Sequence, residues 1–176
     1  MKKPLREGLK RLVNDGKDSE MKKIMFVCHG NICRSPMAEF VMKSLAQKVC
    51  AGENFCIESS ATSREEIGNG IYPPAAQILS LHGIESNGHS ARQFTVADYN
   101  DCDMVVVMED YNKRNLMRLI GCDCENKVWK LLDFVAEEPQ PCNGADISDP
   151  WYHGDFDKTY KEIEQGCKGL LKYLGY

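Results

Sequence analysis

Val27-Cys28-His29-Gly30-Asn31-Ile32-Cys33-Arg34-Ser35-Pro36 is the stretch from which the rest of the chain takes its order. The apolar run Ile24-Met25-Phe26-Val27 leads into it, and a helical pattern leaves it at Pro36. The expected local structure is a strand, a tight loop and a helix start. The five residues between Cys28 and Arg34 are enough to wrap backbone around a tetrahedral anion. Their N–H groups then point inward as a nest that feeds a helix N-terminus. The phosphate-binding set is His29, Gly30, Asn31, Ile32, Cys33, Arg34 and Ser35. Arg34 adds planar, bidentate recognition of two oxygens. Cys28 sits beneath as the candidate nucleophile, because a positive loop and a helix N-terminus favour a thiolate there. A bare thiol and guanidinium at this spacing also fit a buried cysteine and a surface arginine. The context favours function: Gly30 and Asn31 tolerate left-handed backbone, and Ser35-Pro36 reads as N-cap and first helical residue.

Working outward, the 176 residues fit one domain with a sizeable core. Hydrophobic content of 43% and charged content of 27% describe a globular chain, not a disordered one. A net charge of −4 argues against a nucleic-acid partner held by phosphate-backbone contacts. No apolar run approaches the ~20 residues of a membrane helix, so no membrane partner is expected. Nine cysteines without disulfide-scaffold spacing, and no signal-peptide pattern, point to a reducing, cytoplasmic location.

Residues 1–21 differ from the rest. Leu5, Leu9 and Leu12 could mark a short basic helix, which Val13-Asn14-Asp15-Gly16 would end. The segment reads as a poorly packed extension or a short helix, with the domain proper at 22–176.

Within that domain the pattern alternates. Strands are expected at Lys23–Val27, Phe55–Ser59, Met104–Met108 and Val128–Leu132. Helices are expected at Met37–Val49, at Pro73–Leu81 with Gly83 closing it, at Thr95–Tyr99, and at Asp110–Ile120 closed by Gly121. Ala136–His153 reads as a long polar loop. Phe156, Tyr160, Ile163, Cys167, Leu170, Leu171 and Leu174 then share one face of a closing helix. Alternating strands and helices imply βαβ units. The expected fold is α/β, a four-stranded parallel sheet flanked by helices on both faces. Cys28 falls at the carboxyl end of a strand, where such sheets place their sites.

Cleavage of a phosphate ester also needs a proton for the leaving oxygen. The Cys28 loop supplies no acid, and the candidate lies far along the chain in Asp149-Pro150-Trp151-Tyr152. Pro150 stiffens the turn after the acid, and Trp151 and Tyr152 can stand as aromatic walls. Such a cleft fits a phosphorylated phenol. Taken alone, Asp-Pro is ordinary turn chemistry.

These residues resemble the low-molecular-weight protein tyrosine phosphatase family, and the match to its V-C-x-G-N-I-C-R-S-P motif is close to complete. The likeness runs from Lys22 to the C-terminus. It includes Ser60-Ala61-Thr62, His89-Ser90-Ala91-Arg92-Gln93, Val107-Met108-Glu109 and Asp149-Pro150-Trp151-Tyr152. The resemblance implies the family's Rossmann-like three-layer sandwich, a phosphotyrosine protein or peptide as substrate, and no cofactor or metal. In bacteria such relatives often oppose a tyrosine kinase. It also implies that Cys28, Arg34 and Asp149 are catalytic, with Asp149 as general acid and then general base. Ser35 is expected to hydrogen-bond the Cys28 sulfur, Asn31 to brace the loop, and His89 to position Asn31. Cys33 is a possible redox partner of Cys28, as in relatives, or simply a small buried residue at a helix start. Two departures bear on specificity. Glu65 stands where many relatives carry an aromatic wall, so acidic flanking residues should be repelled and a stacking surface lost. His29 replaces a residue that is often apolar. Ile32, where phosphoarginine-specific members have threonine, favours phosphotyrosine.

Two other readings remain open. An arsenate reductase shares the fold and the anion loop but needs further cysteines to shuttle a disulfide. Cys102, Cys122 and Cys124 are present, although Cys122 and Cys124 flank one residue of a turn and look like surface positions. A binding module would hold phosphoproteins without turnover, and intact Cys28 and Asp149 argue against it.

Overall fold

In the computed structural model, residues 21–176 are described. The expectations for residues 1–20 lie outside them. Four parallel strands form one sheet in the order β2-β1-β3-β4: β1 is Lys22–Cys28, β2 Phe55–Ala61, β3 Met104–Val107 and β4 Val128–Lys130. Between and after them come α1 (Arg34–Lys48), α2 (Pro73–Leu81), α3 (Val96–Asp101), α4 (Asp110–Ile120), α5 (Pro150–His153) and α6 (Phe156–Tyr173).

Alternation along the central strands assigns each side chain to one of two cores. Ile24, Phe26 and Cys28 of β1 and Met104 and Val106 of β3 face a core closed by α1, α2 and α6. Met25 and Val27, with Val105 and Val107, face a smaller core completed by Phe94, Tyr99 and Leu116. Burial on both faces explains why β1 and β3 read as continuous apolar runs. The expected stripe on α6 is the buried one: Tyr160, Ile163, Cys167, Leu170 and Leu171 line the larger core. The α6 glycines matter for this packing. A Cβ on Gly169 would overlap the carbonyl oxygen of Phe134, and one on Gly166 would lie 2.6 Å from Leu131 Cγ.

Several boundaries move for identifiable reasons. α1 begins at Arg34, not Met37, because Met37 N–H already donates to the Cys33 carbonyl at 3.1 Å. Ser35 is therefore not an N-cap; it is fully buried inside the first turn, and its hydroxyl is turned to the loop. Gly30 does not use left-handed backbone, whereas Asn31 does, at φ 59°. β4 stops at Lys130, and Leu131–Val135 forms a 3-10 turn instead of continuing the strand. Buried Asp133 explains the change: its carboxylate accepts from the backbone N–H groups of Lys130 (2.7 Å), Cys142 (2.6 Å) and Gly144 (2.6 Å). The short helix expected at Thr95–Tyr99 runs Val96–Asp101, with Thr95 as its N-cap. The loop expected at Ala136–His153 ends in α5, which Asp149 caps by accepting from Trp151 N–H at 3.0 Å.

Cys122 and Cys124, which read as surface positions flanking one residue of a turn, are joined by a disulfide, and the other seven cysteines are free. Among the described residues, no helix is long and apolar enough to cross a membrane.

Candidate active site

The loop between β1 and α1 is held from behind by its carbonyls. Cys28 O accepts from Thr62 N–H (2.8 Å), His29 O from Ser63 N–H (3.0 Å), Ile32 O from Tyr72 N–H (2.8 Å), and Asn31 O from His89 Nε2 (2.7 Å). A trans peptide points its N–H opposite to its C=O. Carbonyls pulled outward therefore turn the following amides toward the loop's centre, as the nest reading requires. At that centre, Cys28 Sγ accepts from Asn31 N–H at 3.3 Å and lies 3.0 Å from Ser35 Oγ.

Asn31 is fully buried, and its hydrogen bonds fix the direction of every proton around it. Its Oδ1 accepts from Arg92 N–H at 3.1 Å, so its Nδ2 is the donor, to Ser35 Oγ (2.9 Å) and Ser59 Oγ (2.9 Å). Ser59 spends its own proton on the Glu39 carboxylate at 2.5 Å. Ser35 Oγ already accepts from Asn31, so its proton is free for the Cys28 sulfur or for Ser60 O at 3.3 Å. The His89 Nε2 bond to a carbonyl likewise makes that nitrogen a donor. Ser35, expected to bond the Cys28 sulfur, lies 3.0 Å from it; Asn31, expected to brace the loop, bonds Ser35; His89, expected to position Asn31, bonds the Asn31 carbonyl.

Arg34 is 2% exposed and opens the first turn of α1. Its Nη2 donates to Asp149 Oδ2 at 2.7 Å and to Glu109 Oε1 at 2.8 Å, and its Nη1 to Ile147 O at 3.3 Å. Burial opposes the guanidinium's charge. The Cys28 sulfur, followed by Glu109 and Asp149, more than offsets this and holds the pKa above its ordinary value. Sulfur, guanidinium and the distant carboxyl therefore meet at one place. For Cys33, burial first and then the neighbouring Cys28 and Asp149 push the thiol up to about 12. It is a protonated thiol at the end of the loop, where it caps α1.

The rim carries the remaining expected residues. Glu65 Oε2 lies 3.1 Å from His29 Nε2. The Trp151 ring is 58% exposed and sits 5.4 Å from the Tyr72 ring, while Tyr152 is 85% exposed. Glu39, Ser59, Tyr72 and Glu109 support the loop or the arginine but were not among the expected site residues. Glu109 had a usable signal, since it stands just beyond the carboxyl end of a buried strand. Ser59 and Glu39 had none, because their role depends on two elements meeting. Among the described residues, no group of three or more His, Cys, Asp or Glu side chains is placed to hold a metal ion.

Comparison with known proteins identifies the family. The family described as "Low molecular weight phosphotyrosine protein phosphatase" matches residues 23–176. A low molecular weight phosphotyrosine protein phosphatase of Gallus gallus is 38% identical over 157 residues, covering 87% of this chain and 96% of its own length. The crystal structure of YfkJ from Bacillus subtilis superposes with a TM-score of 0.82 at 33% identity, covering 89% of this chain and 96% of that one. The low molecular weight protein tyrosine phosphatase from Streptococcus pyogenes superposes at 0.73 with 36% identity, covering 86% and 92% of the two chains.

Proposed function

Because the chain belongs to the low molecular weight phosphotyrosine protein phosphatase family, we propose that it hydrolyses protein phosphotyrosine through a cysteinyl-phosphate intermediate. The observation that carries this reading is the convergence of Cys28 Sγ, the inward loop amides, Arg34 and Asp149. In the first step the Cys28 thiolate attacks phosphorus, the S–P bond forms and the P–O bond to the phenol breaks. Asp149 gives its proton to the departing oxygen. In the second step water attacks phosphorus and yields a proton to Asp149. The P–S bond then breaks, and inorganic phosphate leaves. Arg34 and the amides neutralise the equatorial oxygens in both transition states. The Ser35 hydroxyl stabilises the sulfur as it leaves. Asn31 and His89 hold the loop, and Trp151 and Tyr152 flank the phenol.

The proposed substrates are phosphotyrosine proteins, a bacterial tyrosine kinase among them, and the proposed setting is cytoplasmic. Cys33 is the proposed partner for a protective disulfide with Cys28 under oxidation. The domain is proposed to span 22–176, with the preceding residues outside the chemistry.

Position disfavours an arsenate reductase. α4 starts beside Glu109, at the site, and runs away from it for eleven residues, about 16 Å at 1.5 Å each. Cys122 and Cys124 follow its far end, and Cys102 precedes β3, at the end of the sheet opposite Cys28. None is placed to relay a disulfide. Release of phosphate from an aryl phosphate and a phosphotyrosine peptide, lost in Cys28→Ser, is the expected result. Arsenate-dependent thiol oxidation without phosphate release would overturn the reading.

A further inference from the structure

We propose that Tyr111, backed by a His29 side chain that Glu65 holds in place, is the aryl-binding wall of the cleft and a specificity-determining residue. This rests on the phosphatase reading above and names the part of the substrate that the wall selects. Glu65 Oε2 lies 3.1 Å from His29 Nε2, and its side chain offers no ring. The fold supplies a ring from another element. Tyr111 is the second residue of α4, two positions after the Glu109 that holds Arg34 at 2.8 Å. Its ring centroid lies 6.0 Å from that of His29, at an interplanar angle of 37°. His29 directly follows the nucleophile, so the His29–Tyr111 pair borders the mouth of the loop.

Tyr111 is also left 47% exposed, although it is a large, rigid aromatic. Its other ring contact is with Arg114, 5.9 Å above it and one turn on in the same helix. Trp151, 58% exposed on α5, flanks Asp149. A phenyl group whose phosphate is seated in the loop therefore meets aromatic surface from α4 as well as from α5. Aromatic pairs of this kind gain only modest affinity beyond their buried area. The expected effect is correspondingly small and selective. Tyr111 should recognise the aryl group and ignore the phosphoryl group.

The test compares two competitive inhibitors, inorganic phosphate and phenylphosphonate, on wild type, Tyr111→Phe and Tyr111→Ala. Tyr111→Ala is expected to weaken phenylphosphonate by about 3- to 10-fold. Phosphate should change by less than about twofold, and Tyr111→Phe should bind both as wild type does. Equal weakening of both inhibitors in Tyr111→Ala would mean that the residue supports the loop, and would overturn the proposal. Unchanged phenylphosphonate binding in an active phosphatase would overturn the wall alone. A wild type that neither cleaves aryl phosphates nor binds phenylphosphonate would overturn both the wall and the phosphatase reading.

Discussion

Nη2 of Arg34 donates to Oδ2 of Asp149 at 2.7 Å, and its second hydrogen goes to Glu109 at 2.8 Å. Both Nη2 hydrogens are thus committed to carboxylates. A guanidinium grips an oxyanion side-on through Nε and Nη2 together, so a bidentate phosphoryl group has to displace one of the two. Asp149 is the one with another task in the proposed mechanism, that of proton donor to the departing phenol. Asp149→Ala should therefore separate binding from turnover. Turnover of an aryl phosphate is expected to fall by roughly 10²–10⁴-fold, as for a lost general acid. The inhibition constant of tungstate, a tetrahedral oxyanion, is expected to improve. Weaker tungstate binding in this variant would contradict the displacement.

Ser35→Ala removes the hydroxyl 3.0 Å from the Cys28 sulfur. A hydrogen bond to a charged group is worth about 1.5–3 kcal/mol, or roughly 10- to 150-fold in rate. The loss should fall mainly on the second step, where sulfur departs. Stopped-flow measurement with an aryl phosphate should then show a burst of phenol followed by a slow steady state. A uniform slowing without a burst would place the hydroxyl's effect in the first step.

Asp98 connects acid stability to the loop. It accepts from Arg92 Nη1 at 3.0 Å and from Thr95 N–H at 2.7 Å, while Arg92 N–H donates to Asn31. Burial acts to raise the carboxyl, and the bonds from Arg92 and Thr95 outweigh it, holding it below its ordinary value of 3.8. A depressed carboxyl contributes stability that is complete above the unfolded value and is lost as pH falls through the folded one. Asp98→Ala should cost about 1 kcal/mol near neutral pH, with the deficit shrinking below about pH 4. Urea melts at two pH values measure this, and a deficit that grows in acid would contradict it.

Gly169→Ala tests the packing that carries the α6 end of the sandwich. The new Cβ would overlap the Phe134 carbonyl oxygen, which backbone cannot easily yield. Overpacking of this kind costs about 1–3 kcal/mol, and a domain of this size loses roughly 2–4 °C of melting temperature per kcal/mol. A drop of several degrees by calorimetry is expected. An unchanged melting temperature would mean that α6 does not press on the Leu131–Val135 turn.

Most of the architecture was legible because β1 and β3 are buried on both faces, and Cys28 marks where the central strand ends. Ser35 was misplaced because Ser-Pro is a common helix opening, while the decisive hydrogen bond, Cys33 O to Met37 N–H, involves backbone alone. Leu131-Leu132 reads as more strand, and only the three amides gathered by Asp133 turn it aside. Asp149 was legible only together with the Cys28 loop, since Asp-Pro alone is ordinary turn chemistry; its bond to Arg34 was not legible, because it joins residues far apart in the chain. Tyr111 carried none, since nothing in the spacing of a helix's first turn says that it borders a cleft.

The most direct measurement is rapid quenching of the enzyme during turnover of an aryl phosphate, followed by mass spectrometry of its peptides. A phosphoryl group is expected on Cys28, more abundant in Ser35→Ala and absent from Cys28→Ser, which should also release no phosphate. Sustained phosphate release by Cys28→Ser, or a phosphoryl group on another residue in its place, would contradict the cysteinyl-phosphate mechanism.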